Sequence, residues 1–572
     1  MSKLILRGVR LIANIRLWVI RGCAAIIIFF AAPVGSYLQL PLFRGYPNNG
    51  LVWAQSGWRQ GDVVTYFDAR DLRCVELTER EVVFCSGGGI YRLDRLTAAP
   101  IEPWLSGVGR EKAILLTNGR LLLWHPNSMT LWLAAGGSLY YYRWDIERWG
   151  VVEGFSAADV HSLGDAGFYI AAEAKDRQTL IDPYLFRALG APDEKYDTIR
   201  WQGQRGWKPH SYPYYQTTDI YLRFNPDDGK ISDWEFNDYK PVYDILDENY
   251  DRRYICYPGL GVGIANERNL SLEIVQPGPA GSDVKSIVLG SDGLIWVGGD
   301  NAKDNDGLSQ FARKTGRWKR FGWRLTPGLK SQRVWDATLS ADNLYLATDF
   351  GLSICRLSDF TIRTLDRFDG LHGAALRALA IADGYLFIGG DYGVNRLSLP
   401  AGPVFKSGSK KLDDMKAAQM TSDGDTVWVA GVQGLYRGEP DGRWTFVGGE
   451  DVIGDEPARA VFITPRKLFV GGSRGVRVLD RRTGQWSAIP TQAYLGGGGT
   501  ICFAANDSLL WAGSTGGLYR YNFKHGDWRS YSTNQGLPAV RIQRLMLEAD
   551  TLWIGTPKGL TRFLWNRPGR DE

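Results

Sequence analysis

Seven times between residues 284 and 565 an aromatic side chain sits inside a short apolar run, and the spacing hardly varies. The runs are LIWVGG, NLYLAT, YLFIGG, TVWVAG, KLFVGG, LLWAGS and TLWIGT, carrying Trp296, Tyr345, Phe387, Trp428, Phe469, Trp511 and Trp553. Successive intervals are 49, 42, 41, 41, 42 and 42 residues. Self-similarity at such a period marks a repeat array, in which each unit buries its apolar face on its neighbours. Two positions after each aromatic stands Gly or Ala, which lets backbones approach closely. Six positions after it, in every copy but the first, stands a Gly: Gly351, Gly393, Gly434, Gly475, Gly517 and Gly559. The first copy reaches Gly307 instead, delayed by five inserted residues.

The local grammar is that of strands and tight turns. An alternating apolar strand ends at the small residues, Gly permits a turn with positive φ, and a second strand such as GLYRYNF follows. A polar turn (KTGRW, RTGQW, KHGDW) then leads to a Trp-bearing outer strand. With the run that precedes the aromatic, each unit holds four short antiparallel strands, the content of a β-propeller blade. A β-sandwich with coincidental spacing would not hold the interval this tightly. The fold class expected is all-β: a seven-bladed propeller over 268–566, with NLSLEIV (269–275) supplying the outer strand that the last unit lacks.

The preceding stretch, 48–267, carries eroded copies of the same grammar, as in VVFCSGGGIYRLD (82–94) and TLWLAAGGSLYYYRW (130–144). Its length at the same period predicts five or six degenerate blades, forming a second ring or joining the first. Residues 176–250 lose the period and become rich in aromatics, including Trp207, Tyr212, Tyr214 and Tyr215. So long a break reads as an insertion over one face, where function commonly sits.

Charge assigns the termini rather than a ligand. Five basic residues (Lys3, Arg7, Arg10, Arg16, Arg21) and no acid occupy the first 21 positions, and the remaining 62 basic residues match 62 acidic ones. The body thus has no electrostatic footprint for nucleic acid. Residues 22–43 lack any charge and are long enough to span a bilayer as a helix. With 1–21 read as a short basic cytoplasmic segment, the positive-inside rule predicts a single-pass protein of the bacterial inner membrane, its N-terminus cytoplasmic and its propeller in the periplasm or outside. A cleaved signal peptide is the competing reading, but the nearest small-residue site, at Val52 to Ala54, lies far beyond the apolar run.

The chain has six Cys and five His, with no CxxC pair and no metal-ligand spacing. Cys74 and Cys85 face each other if their runs pair as neighbouring strands, which leaves one disulfide or two buried thiols open.

The segment NQGLPAVRIQRLMLEADTLWIGTPKGLTRF (534–563) resembles the two-component-regulator propeller repeat, and 341–356 and 507–521 match it more loosely. The resemblance covers 284–565 well and the first half only faintly. It implies an extracytoplasmic ligand-sensing propeller, a kind often coupled to a histidine kinase. No kinase or DNA-binding segment follows the repeats before Glu572, so sensing would need a separate membrane partner.

No GxSxG, P-loop, HExxH or paired-Cys metal motif occurs, so an enzyme is not expected and no cofactor is required. Asp300, Asp304 and Asp306 in GGDNAKDNDGL offer a weak Ca²⁺ loop against a plain polar turn. The turn before each repeat Gly should cluster on one face around the axis, making a rim for a ligand or partner: Asp349, Phe350, Asp391, Tyr392, Gln433, Arg474 and Lys558. Acids stand on the early blades and cations on the late ones, a split suited to a polar protein surface or a polyhydroxylated ligand. The function expected is a membrane-anchored protein-binding or scaffold subunit of an envelope complex, with a protein partner. The alternatives are a sensor of a glycan or small polar molecule, and a lyase or hydrolase with an axial site.

Overall fold

The computed structural model describes residues 59–567 except 60, 110–112, 156–159, 175–176, 193–199, 203–207, 236, 301–305, 323–325, 408, 440, 448–456, 474 and 490–498. Among these, nearly all regular structure is strand, and helix is limited to single turns such as Lys410–Asp413. Seven four-stranded antiparallel sheets make up the repeat region. Their innermost strands are Asp283–Leu289, Val334–Ser340, Leu376–Ala382, Ala417–Ser422, Ala460–Ile463, Thr500–Ala505 and Arg544–Glu548. Each packs on the next, and the seventh returns to the first, so the ring closes. The repeat aromatics lie on the second strands and are all buried, Trp296, Tyr345, Phe387, Phe469, Trp511 and Trp553 almost completely. They fill the wedges between blades, where large side chains contribute most of the apolar burial.

Closure differs from the expectation. The outer strand of the seventh blade is Val63–Tyr66, not the NLSLEIV run. Val63 pairs with Phe563 and Tyr66 with Leu560, and the hydroxyls of Thr65 and Thr561 meet at 2.8 Å. Gly559 shows why the strand fits. It holds φ +133°, and a Cβ there would stand 2.2 Å from the carbonyl oxygen of Tyr66. Gly351 makes the same approach to its own outer strand, at Leu365 O. Ser271–Val275 instead completes a sheet in the first half of the chain.

That half holds four blade-like sheets among the described residues. They begin at the inner strands Leu72–Leu77, Gly119–His125, Val160–Asp165 and Tyr243–Asp247. The fourth packs on the first, the first on the second and the second on the third. The period runs further than expected, since Arg177–Asp182 and Arg187–Gly190 are ordinary strands of the third sheet. The insertion proper adds Arg200–Gln202 to that sheet's inner edge. It also builds a small sheet from Leu222–Phe224, Ile231–Asp233 and Asp238–Tyr239.

Because the closing strand precedes the first-half blades, the chain crosses between the two parts twice, at 67–71 and at 276–282. The crossings are tied together: the amide of Ala69 donates to Pro277 O, and Arg70 Nη2 donates to Ala280 O. Asp68 sits between Arg70 (2.5 Å) and Arg320 (3.5 Å). Burial alone would raise the Asp68 carboxyl, but the Arg70 hydrogen bonds and the Arg320 charge outweigh it and hold it below the usual carboxylate value.

The single-pass inner-membrane placement is corrected. No helix among the described residues is long and apolar enough to cross a membrane. Residues 1–21 and 22–43, on which that expectation rested, lie outside the described residues.

Candidate functional site at the entrance of the seven-bladed ring

In a four-stranded antiparallel blade, the turn from second to third strand and the link from outer strand to the next blade emerge at the same end. One face of the ring therefore gathers both sets of loops. The expected rim residues other than Arg474 stand there, and the early acids among them are already engaged by an alternating row of cations. Arg333 reaches Asp300 (2.9 Å) and Asp349 (3.4 Å), while Arg377 reaches Asp349 (3.1 Å) and Asp391 (3.0 Å). Lys416 follows at 3.7 Å from Asp391. For Asp391, burial pushes the carboxyl up, but Arg377 and Lys416 together hold it below its ordinary value.

Trp335 is the keystone of this row. Its Nε1 donates to Asp349 at 2.7 Å, and the Arg377 guanidinium lies 4.1 Å from its ring centroid. Lys285 approaches the ring at 4.8 Å and pairs with Asp283 at 2.8 Å. Gln433 joins through its amide, accepting from the Lys416 backbone and donating to Asp414 O. Each charge is satisfied by its neighbour, so the row is a rigid frame rather than an open acidic site.

Apolar groups stand out from that frame. Phe350, Tyr392 and Val432, on three consecutive blades, are 60%, 65% and 55% exposed. Phe368, on the link between the second and third blades, is exposed as well. On the later blades Lys558, Arg459 and Arg541 are exposed and have no ion-pair partner among the described residues. The expected Arg474 lies outside the described residues. Deeper in, Arg544 pairs with Asp336 at 2.8 Å.

Other expected residues fall elsewhere. Tyr212 and Tyr215 are buried with Phe224, Ile231 and Tyr257, and Tyr215 donates to Glu267 at 2.6 Å, so they form the core of the insertion's small layer. Tyr214 is exposed, and Trp207 lies outside the described residues. Of the suggested Ca²⁺ ligands, Asp300 is held by Arg333, Asp304 lies outside the described residues, and the Asp306 side chain is not described. No group of three or more His, Cys, Asp or Glu suited to a metal occurs among the described residues.

Periodicity did not reveal a cleft of about 530 Å³ between the two parts of the chain, lined by Tyr66, Tyr91, Pro100, Lys314 and Trp318 among others. Burial raises the Tyr66 hydroxyl to about 12. The arginines at its edge are paired: Arg562 with Glu102 at 2.6 Å, Arg313 with Glu548 at 2.7 Å, and Arg317 with Glu273. The signal for the entrance frame, by contrast, was present. A basic residue stands ten or twelve positions before the repeat aromatic in five blades, at Arg333, Arg377, Lys416, Arg459 and Arg541.

The arrangement defines a propeller protein with a structured, partly apolar entrance face. No family model matches the chain, and no curated protein sequence matches it. Among solved structures it is similar to PorZ, an essential surface component of the type-IX secretion system of Porphyromonas gingivalis, with 12% identity, a TM-score of 0.50, and coverage of 88% of this chain and 87% of that one. It is also similar to the extracellular domain of BT4673 from B. thetaiotaomicron, assigned to a hybrid two component system, with 14% identity, a TM-score of 0.44, and coverage of 88% and 76%. The corresponding domain of BT3049 matches with 12% identity and a TM-score of 0.43, over 86% and 74%. At such identities the likeness is one of fold alone.

Proposed function

We propose that the chain is a non-catalytic binding protein, a scaffold subunit that grips a polypeptide partner with the entrance face of its seven-bladed ring. The row of Phe350, Tyr392 and Val432, exposed on consecutive blades over a charge-locked frame, carries this reading. Aromatic anchors on a rigid support lose little entropy on binding and supply the centre of an interface. Lys558, Arg459 and Arg541, in the loops of the later blades on the same face, favour a partner surface that presents acidic groups. The test is co-purification with wild-type chain and with a Phe350→Ala/Tyr392→Ala variant. The reading predicts a stoichiometric partner that the variant loses without any change in melting temperature. A partner retained in full by the variant contradicts it.

A second reading, sensing of a small polar molecule or glycan, has the 530 Å³ inter-part cleft in its favour, since ligand sites concentrate where two folded units meet. Trp318→Ala would abolish ligand binding on this reading and leave protein binding intact on the first.

A further inference from the structure

Cys74 lies on Leu72–Leu77, the innermost strand of the first sheet of the N-terminal part, and Cys85 on that sheet's second strand, and the two are register partners, Cα opposite Cα. Directly opposed residues of an antiparallel pair have their Cα atoms about 4.5–5.5 Å apart, inside the window a disulfide spans without backbone movement. Their sulfurs touch, and both are free thiols in this structure. Both residues are buried, 4% and 0% exposed, in an apolar cluster with Val83, Leu122 and Trp124. Cys256, Cys355 and Cys502 are buried too; Cys256 lies within electrostatic reach of Cys74, but the structure gives none of the three a sulfur–sulfur contact like that of Cys74 and Cys85 among the described residues. Among the described cysteines one pair is therefore set for a bond, and the other three are not.

We propose that Cys74 and Cys85 close a disulfide as the chain folds, stapling the first sheet of the N-terminal part beside the crossing between the two parts. In the reaction each thiol gives up a proton and the pair gives up two electrons. The oxidant is a disulfide, oxidised glutathione or a disulfide-bearing oxidoreductase, whose own S–S bond is cleaved to two thiols. Burial dictates the timing: oxidant reaches the sulfurs only before the cluster packs, and the finished bond is shielded from reductant afterwards. Burial also raises the Cys74 thiol well above its usual value, so the folded dithiol offers little thiolate for later exchange.

The sequence supplies a direct test. Arg73, Arg80 and Arg92 place the two cysteines on separate tryptic peptides, CVELTER and EVVFCSGGGIYR, with no peptide bond between them after digestion. The whole chain is folded with oxidised and reduced glutathione, quenched in acid, alkylated under denaturing conditions, digested and mapped by mass spectrometry. The proposal predicts the two peptides joined, two hydrogens lighter than their sum, with Cys256, Cys355 and Cys502 alkylated. Alkylation of both Cys74 and Cys85, or a bond from either to Cys256, overturns it. As a second readout, native protein treated with reductant should keep the link, and protein unfolded in the same reductant should lose it. Loss from the native protein at the unfolded rate counts against the buried staple.

Discussion

The guanidinium of Arg544 lies 2.8 Å from the carboxylate of Asp336, although they belong to the seventh and second blades, with the first between them around the ring. Asp336 is 1% exposed and also accepts from the backbone amides of Leu379 and Ala337. The pair thus ties together two blades that the first separates. Removing Arg544 leaves a buried charge without its counter-ion. Arg544→Ala is expected to cost about 3 kcal/mol or more in urea unfolding. Arg544→Met with Asp336→Asn should recover most of that, because a neutral amide still accepts from Leu379.

The same pair gives a pH dependence. Burial pushes the Asp336 carboxyl up, while Arg544 and the backbone donors pull it down, with burial prevailing. Losing Arg544 raises the native value further. A carboxyl whose native pKa exceeds its unfolded one loses stability as pH rises from the unfolded value towards the native one. The deficit of Arg544→Ala should therefore be largest at neutral pH and shrink on acidification, which unfolding curves at several pH values will check.

Asp68 behaves oppositely. Its native pKa lies below the unfolded carboxylate value, so its contribution is complete above about pH 4 and is lost as pH falls through the lowered native value. Hydrogen exchange at the crossings, 67–71 and 276–282, should accelerate in that acid range. In Asp68→Asn the acid-dependent increment should be absent.

Val64→Asp tests the ring closure. Val64 packs with Val284, Ile287 and Trp553, so an aspartate there buries an unpaired charge, costing several kcal/mol. Exchange should rise in Thr551–Thr556 and Gly559–Leu564. Leu272→Asp, in the strand first expected to close the ring, should loosen Arg252–Tyr257 and Gly261–Asn266 and leave the seventh blade protected.

The contrast shows what the sequence made legible. Trp553, Gly555 and Gly559 announce a blade because strand period and turn chemistry are local. The strand that completes that blade is not local: VVTY and SLEIV have the same character, and only the three-dimensional path selects Val63–Tyr66. The entrance positions were legible from the spacing of Gly351 and Gly393. Their ion pairing was not, because Arg333 and Arg377 meet Asp349 from neighbouring blades. Tyr212 and Tyr215 misled because the same aromatic richness serves a core as well as a surface.

The unpaired cations of the later blades should act on association. Lys558→Glu and Arg541→Glu are each expected to slow partner binding about two- to fivefold and to flatten its salt dependence, with little change in dissociation. Stopped-flow binding at two ionic strengths will measure both.

Hydroxyl-radical footprinting of the complex with its co-purified partner bears most directly on the proposed function. Protection is predicted at Phe350, Phe368, Tyr392 and Val432, with Tyr214, Tyr221 and Trp234 of the insertion unchanged. Protection confined to the insertion, with the four entrance residues as reactive as in the free protein, would contradict it.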